Sequence, residues 1–342
     1  MAKKIRTVLV GCGGITGSWL KTDAVADRVE MGGLVDIDRD AAEAKAAEYG
    51  FDEAVIGTDL ADVLGKVKPE VVFDCTVPEA HCEVTLTALE HGCHVLGEKP
   101  MADTMARARR MCAAAERAGR IYAVIQNRRY RPQIRSLKRF LDTGRIGAVT
   151  TVQSNFFLGA HFGGFRDRMK HVLLVDMAIH TFDMARFLTG ADAEAVYCHE
   201  WNPAGSWYDH DASAVAVFEM SGGVVYTYQG SWCAEGVNTS WEARWRIQGE
   251  KGGVIWDGED DFRAEAAAGK SGFIRKQRPL KIPVRAPKAG TGGHAGLIAE
   301  FLRCVRSGGT PETICTDNIK SLAMVHAAVE SAAKRRRVPV ST

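Results

Sequence analysis

The chain has 342 residues, 46% of them apolar and 25% charged, with a formal net charge of +2. That length predicts two domains, and that balance predicts a soluble globular protein with no call for nucleic acid or an acidic membrane as partner. Nine cysteines without a C-x-x-C pair read as reduced thiols. No apolar run is long enough for a secretory signal or a membrane span, so the expected location is the cytoplasm.

The first predicted element is a buried strand at Thr7-Val8-Leu9-Val10, of the kind found in parallel sheets. It delivers Gly11-Cys12-Gly13-Gly14-Ile15-Thr16-Gly17 and then a segment able to form a helix. This is the G-x-G-x-x-(G/A) turn of dinucleotide-binding folds with Thr16 at its third position. Gly11 permits the tight turn and Gly13 the approach of a pyrophosphate, while the amides around Gly14 and Ile15 open the helix toward it. Thr16 is larger than the usual residue, so either the helix sits farther out or Gly17 takes over the close packing. A second strand, Gly33-Leu34-Val35, ends in Asp36, placed to bind ribose hydroxyls and to repel a 2′-phosphate. Arg39 follows closely enough to accept such a phosphate, so NAD is expected and NADP stays possible.

A helix over 40–49 stops at Gly50, and a short one covers 60–64. The strand Glu70–Cys75 leads into Thr76-Val77-Pro78-Glu79-Ala80-His81. In a parallel sheet this loop lies at the ligand edge, which makes Thr76, Pro78 and His81 candidates for cofactor contact. A helix over 81–91, the strand Cys93–Leu96, a helix over 101–118 and the strand Ile121–Ile125 complete the alternation. It predicts a doubly wound parallel sheet over residues 1–125. Gly97-Glu98-Lys99-Pro100 ends one of these strands and aims an ammonium group at the ligand edge. Pro100 keeps Lys99 out of helical geometry.

After Gly147 strands follow one another at 150–157, 195–201, 213–220, 224–232, 243–248 and 254–257, with hairpin signals at Ser221-Gly222-Gly223 and Gly249-Glu250-Lys251-Gly252. This predicts an α+β domain over 126–342 with a mainly antiparallel sheet. Helices are expected over 296–306 and 317–336, the latter free to pack back on the first domain. Within this half, Asp176, His180 and Asp183 recur at i, i+4 and i+7 of an otherwise apolar segment. One face of a buried helix would carry all three, which costs stability unless the stripe meets partners or a cavity.

These motifs, taken together with Asn127-Arg128-Arg129-Tyr130, resemble the glucose-fructose oxidoreductase / inositol dehydrogenase / MocA family nearly end to end. The resemblance implies a Rossmann domain, a substrate domain on an open antiparallel sheet, and a homodimer or homotetramer formed partly through that sheet. It also implies a Lys99–Pro100 peptide that is often cis, and cofactor contacts from Glu98, Lys99 and Asn127. The chain departs from the family at Arg166-Asp167-Arg168-Met169-Lys170-His171, where many members carry glycines. That segment should border the substrate, so no particular sugar follows.

The expected reaction is hydride transfer between NAD(P) and a secondary hydroxyl, or ketone, of a sugar, cyclitol or sugar acid. His180 would act as general acid/base and Lys99 would hold the reacting oxygen, with the two roles exchangeable. Asp176 would hold a neighbouring hydroxyl or orient Lys99. Tyr130, His161 and Arg166 could line a polyol pocket together with Lys99, Asp176 and His180. No standard zinc spacing is present, so no metal is expected. Two other functions share this pattern: a non-catalytic, sugar-responsive NAD(P)-binding regulator, and an NAD-dependent glycosidase.

Overall fold

In the computed structural model, which describes residues 3–269, 271–285 and 292–342, the first apolar run forms strand β1 (Ile5–Val10) and the glycine turn opens α1 (Thr16–Leu20). There follow α2 (Asp23–Arg28), β2 (Val29–Val35), α3 (Arg39–Tyr49), β3 (Val55–Gly57), α4 (Leu60–Val67), β4 (Val71–Asp74), α5 (Pro78–Glu90), β5 (His94–Gly97), α6 (Met105–Ala118) and β6 (Tyr122–Val124). The helices start where the sequence supplies caps. The Asp59 carboxylate accepts from the Asp62 amide at 2.8 Å, and Thr104 accepts from Arg107 N at 3.3 Å. The Thr104 cap is why α6 begins at Met105 rather than at Met101 as expected. Gly50 and Gly119 close α3 and α6 in the left-handed conformation.

The six strands form one sheet of order β3-β2-β1-β4-β5-β6 with every pair parallel. Strand order runs outward in both directions from β1 and β4, so the topological switch point lies between them, at the glycine turn. β3 was not expected, since three residues carry too little pattern.

The second stretch begins with α7 (Pro132–Asp142) and β7 (Val149–Phe157). A π-helix over Leu173–Ala178 runs into α8 (Ile179–Thr189). Then come β8 (Ala193–Trp201), β9 (Ser213–Met220), β10 (Val225–Ser231), β11 (Arg244–Gly249), β12 (Gly252–Trp256), β13 (Phe262–Ala268), β14 (Lys276–Leu280), α9 (Gly293–Ser307), α10 (Cys315–Lys334) and β15 (Val338–Pro339). The nine strands of this part are ordered β14-β13-β12-β11-β7-β10-β9-β8-β15. Only β7 with β10 is parallel; the other described pairs are antiparallel. Inner-face residues alternate with outward ones, as in β9. Phe182 of α8 packs edge-on against Phe218 and Tyr228 at 4.8 and 5.3 Å, so the helix covers the inner face.

The chain divides into two units, Met1–Tyr130 with Pro287–Leu322 and Arg131–Ala286 with Ala323–Thr342. The first therefore includes α9, whose Leu297, Ile298 and Phe301 join Leu9, Trp19, Phe73 and Leu96 in one core. Among the described residues no helix is long and apolar enough to cross a membrane.

Candidate active site

In the first unit the glycine turn is held by the ends of three strands. Gly11 N donates to Val35 O at 2.8 Å and Cys75 N to Val10 O at 2.8 Å. Gly11 has φ +82°, and a Cβ there would stand 2.7 Å from the Cys75 carbonyl carbon. Only glycine meets both conditions. At Gly13 and Gly14 a Cβ would meet nothing within 4 Å, so the backbone there is bare toward the ligand edge. Ile15 is exposed. Thr16 is buried, and its hydroxyl donates to Gly13 O at 2.6 Å. It closes the turn from inside. A Cβ at Gly17 would make only ordinary contact, 3.6 Å from the Tyr49 hydroxyl, so Gly17 is not the glycine that close packing requires.

Asp36 stands at the end of β2 and accepts from Cys12 N at 2.7 Å and from Asp38 N at 3.0 Å. These bonds fix the carboxylate beside the turn. Burial, helped by the Asp36 charge, pushes the Cys12 thiol up to about 12, so it stays protonated. Arg39 donates to Glu43 at 2.8 Å and to Ile56 O at 3.5 Å. The bare glycine turn, the fixed carboxylate and the open edge between β1 and β4 fit a dinucleotide: Gly11, Gly13, Gly14 and Ile15 would pass the pyrophosphate and Asp36 a ribose.

The loop after β4 rests on a buried carboxylate. Asp74 accepts from Thr76 N and Oγ1 at 3.1 and 2.6 Å, and pairs with His81 Nδ1 at 2.8 Å. Both Asp74 and His81 are buried. Burial disfavours the charged imidazole, but the charge and hydrogen bond of Asp74 outweigh it, and the His81 pKa is raised. Pro78 occupies the first turn of α5. Thus Thr76 and Pro78 shape the edge, while His81 braces it from beneath.

At the end of β5, Glu98 is buried and both its oxygens are engaged, one by Trp19 Nε1 at 2.8 Å and one by Lys99 N at 3.0 Å. Burial raises its pKa, against the lowering effect of Lys99 and Trp19. Glu98 ties α1 to the end of β5 and fixes the backbone of the half-buried Lys99, whose peptide to Pro100 is cis.

Beyond β6, Asn127 and Tyr130 lie on a short 3₁₀ turn. Asn127 Nδ2 donates to His294 Nδ1 at 3.0 Å, and Tyr130 is buried with its hydroxyl on Glu300. Burial, with the Lys99 charge adding, pushes His294 down to about 4. His294 escapes sequence reasoning: it is a single histidine, far along the chain, with no motif around it.

In the second unit, Asp176 lies in the π-helix and His180 in the first turn of α8, 8% exposed. The wider π turn changes the relation of these two positions from the single α-helical face expected. Asp183 is fully buried beside Arg186, which also donates to Asp192 at 3.0 and 2.8 Å. Arg166 Nε donates to Asp176 at 3.1 Å, and its guanidinium lies 4.9 and 4.8 Å from the Phe162 and Phe165 ring centres. His161 stacks on Trp207 at 3.7 Å and meets Glu235 at 2.9 Å. Among the described residues no group of three or more histidines, cysteines or carboxylates is placed to hold a metal ion.

A glycine turn at the switch point, an acidic residue ending the second strand and a parallel six-stranded sheet define an NAD-binding domain of the Rossmann class. The model of the oxidoreductase family with NAD-binding Rossmann fold matches residues 5–126, and that of the GFO/IDH/MocA C-terminal domain matches 134–255. The chain belongs to the Gfo/Idh/MocA family of NAD(P)-dependent oxidoreductases. It is 26% identical to the D-apiose dehydrogenase of Paraburkholderia graminis, over 99% of this chain and 91% of that one. It is 26% identical to the inositol 2-dehydrogenase of Rhizobium meliloti, over 88% of each. Its fold is similar to that of an oxidoreductase from Agrobacterium radiobacter solved with NAD+, L-tartaric acid and magnesium, with a TM-score of 0.84, 20% identity and 99% of each chain covered.

Proposed function

We propose that this protein oxidises a secondary hydroxyl of a sugar, cyclitol or sugar acid, or reduces the matching ketone, with NAD as the redox partner. The carrying observation is the setting of Lys99: a cationic side chain at the carboxyl edge of the nucleotide sheet, its backbone anchored by the buried Glu98. The two curated relatives above, named for apiose and inositol, support a polyhydroxylated substrate.

NAD, when bound, supplies hydride acceptance at its nicotinamide. Lys99 hydrogen-bonds the reacting oxygen and stabilises its developing negative charge. His180 accepts the hydroxyl proton, and Asp176 holds a neighbouring substrate hydroxyl. Arg166, donating to Asp176 at 3.1 Å, orients that carboxylate, and Arg166, His161 and Tyr130 are the further candidates for contact with the polyol. Asp36 selects NAD over NADP, since Arg39 is occupied by Glu43 and Ile56 rather than turned to a 2′-phosphate. The working form is a homo-oligomer.

The test is near-ultraviolet absorbance during incubation with polyols, cyclic sugars and sugar acids, each with NAD and with NADP. Growth of the reduced-nicotinamide signal with NAD is expected. Tight NAD binding with silence toward the whole panel would count against the proposal.

A further inference from the structure

A dinucleotide whose pyrophosphate passes the glycine turn after β1, and whose adenosine ribose meets Asp36 after β2, must send its other half over β4, β5 and β6. That half of the edge carries Lys99 after β5 and Asn127 after β6. Asn127 is not left to solvent. Its amide nitrogen donates to the ring of His294 at 3.0 Å, and His294 comes from the first turn of α9, 167 residues further along the chain. An amide whose nitrogen is committed in this way turns its oxygen, an acceptor, the other way.

Resting on the NAD-binding site described above but not on any substrate, we propose that His294 is a positioning residue for the nicotinamide half of the cofactor. It locks the Asn127 amide so that its oxygen is presented to a donor on that half, a ribose hydroxyl or the carboxamide amine. Three features fit this role. Accepting from Asn127 at Nδ1 requires an unprotonated Nδ1, which leaves Nε2 as the protonated nitrogen. Burial and the neighbouring Lys99 charge push the His294 pKa down to about 4, so the ring stays neutral near neutrality and the lock does not open there. A neutral ring also adds no positive charge of its own beside Lys99. Glu98, Asp74 and His81, further ionisable groups of this edge, are buried and bonded to protein partners. They cannot substitute for the His294–Asn127 pair.

The test compares two ligands on the full-length chain. ADP carries the adenosine and pyrophosphate alone, and NADH carries both halves. For His294→Phe, which keeps an aromatic ring but removes the acceptor, the dissociation constant for NADH should rise about tenfold, and that for ADP should stay unchanged. His294→Gln, whose amide oxygen can accept from Asn127, should recover most of the loss. Asn127→Ala should match His294→Phe, and the double variant should be no worse than either. Unchanged NADH affinity in His294→Phe would overturn the proposal. So would equal losses for NADH and ADP, or no recovery with glutamine. A protein that binds NADH and ADP in this pattern yet oxidises no sugar would sustain the proposal while failing the activity assay above, so the two outcomes are separable.

Discussion

At the scale of single residues, ionisable side chains in this molecule take their roles from what burial leaves them. The position of Asp36 is readable from sequence because it stands at the end of β2, about one βα unit after the glycine turn, and the role proposed for it follows from that place. Lys99 is readable because a lysine before proline at a strand end serves no core. Glu98, its neighbour, is the instructive case. The sequence places it at the cofactor edge, yet it is buried and divided between Trp19, 79 residues before it, and the amide of Lys99, next to it. Pairing of that kind leaves no local pattern, and the same holds for Asn127 with His294. His294 also makes stability depend on pH. Its pKa falls from 6.5 to about 4 on folding, so the unfolded chain binds the proton more readily. The stability this group contributes is present above about pH 6.5 and is lost as pH falls toward about 4, by up to about 3 kcal/mol. Urea unfolding of wild type and His294→Phe over that range should show a shallower loss in the variant; parallel curves would contradict it.

At the scale of elements, the strand–turn–helix at the start of the chain separates glycines that the fold requires from glycines that only the proposed cofactor contact would require. Gly11→Ala combines a φ of +82° with a Cβ 2.7 Å from backbone atoms of Cys75. It should cost about 2 kcal/mol or more and lower the melting temperature. Gly14→Ala meets nothing within 4 Å, so melting should be unchanged while NADH affinity falls roughly tenfold. A calorimetric scan and a fluorescence titration on both variants check this, and the reverse pattern would refute it. The main strands and helices are legible because their apolar periods are long and their caps local. β14 is not, because Lys276–Leu280 is polar, exposed and contains a proline, as only an edge strand tolerates. The π-helix is not legible either: Asp176, His180 and Asp183 carry the spacing of a regular α-helix, and nothing in that spacing marks the wider turn over Leu173–Ala178. Asp183 then serves structure, beside Arg186 in the core.

At the scale of the whole molecule, each unit has its own sheet, and the change from alternating strands and helices to consecutive strands announces both. The outer face of the nine-stranded sheet leaves Tyr197, Val215, Val217, Val225 and Ile255 between 37 and 48% exposed. Tyr197 and Val217 are directly opposed across β8 and β9. Exposed apolar side chains grouped on one sheet face favour a covering partner, and the homo-oligomer proposed above would supply one. Light scattering coupled to size exclusion should give a multiple of the 37.2 kDa chain mass, and Val217→Lys should reduce it. A monomeric wild type would remove this proposal.

The most direct measurement is turnover of Lys99→Ala and His180→Ala on whichever polyol or sugar acid the wild type oxidises with NAD, alongside NADH affinity for each. Each variant should lose about a hundredfold or more in kcat while binding NADH within a few-fold of wild type. Turnover close to wild type in either variant, with NADH still bound, would contradict its assigned role in the reaction.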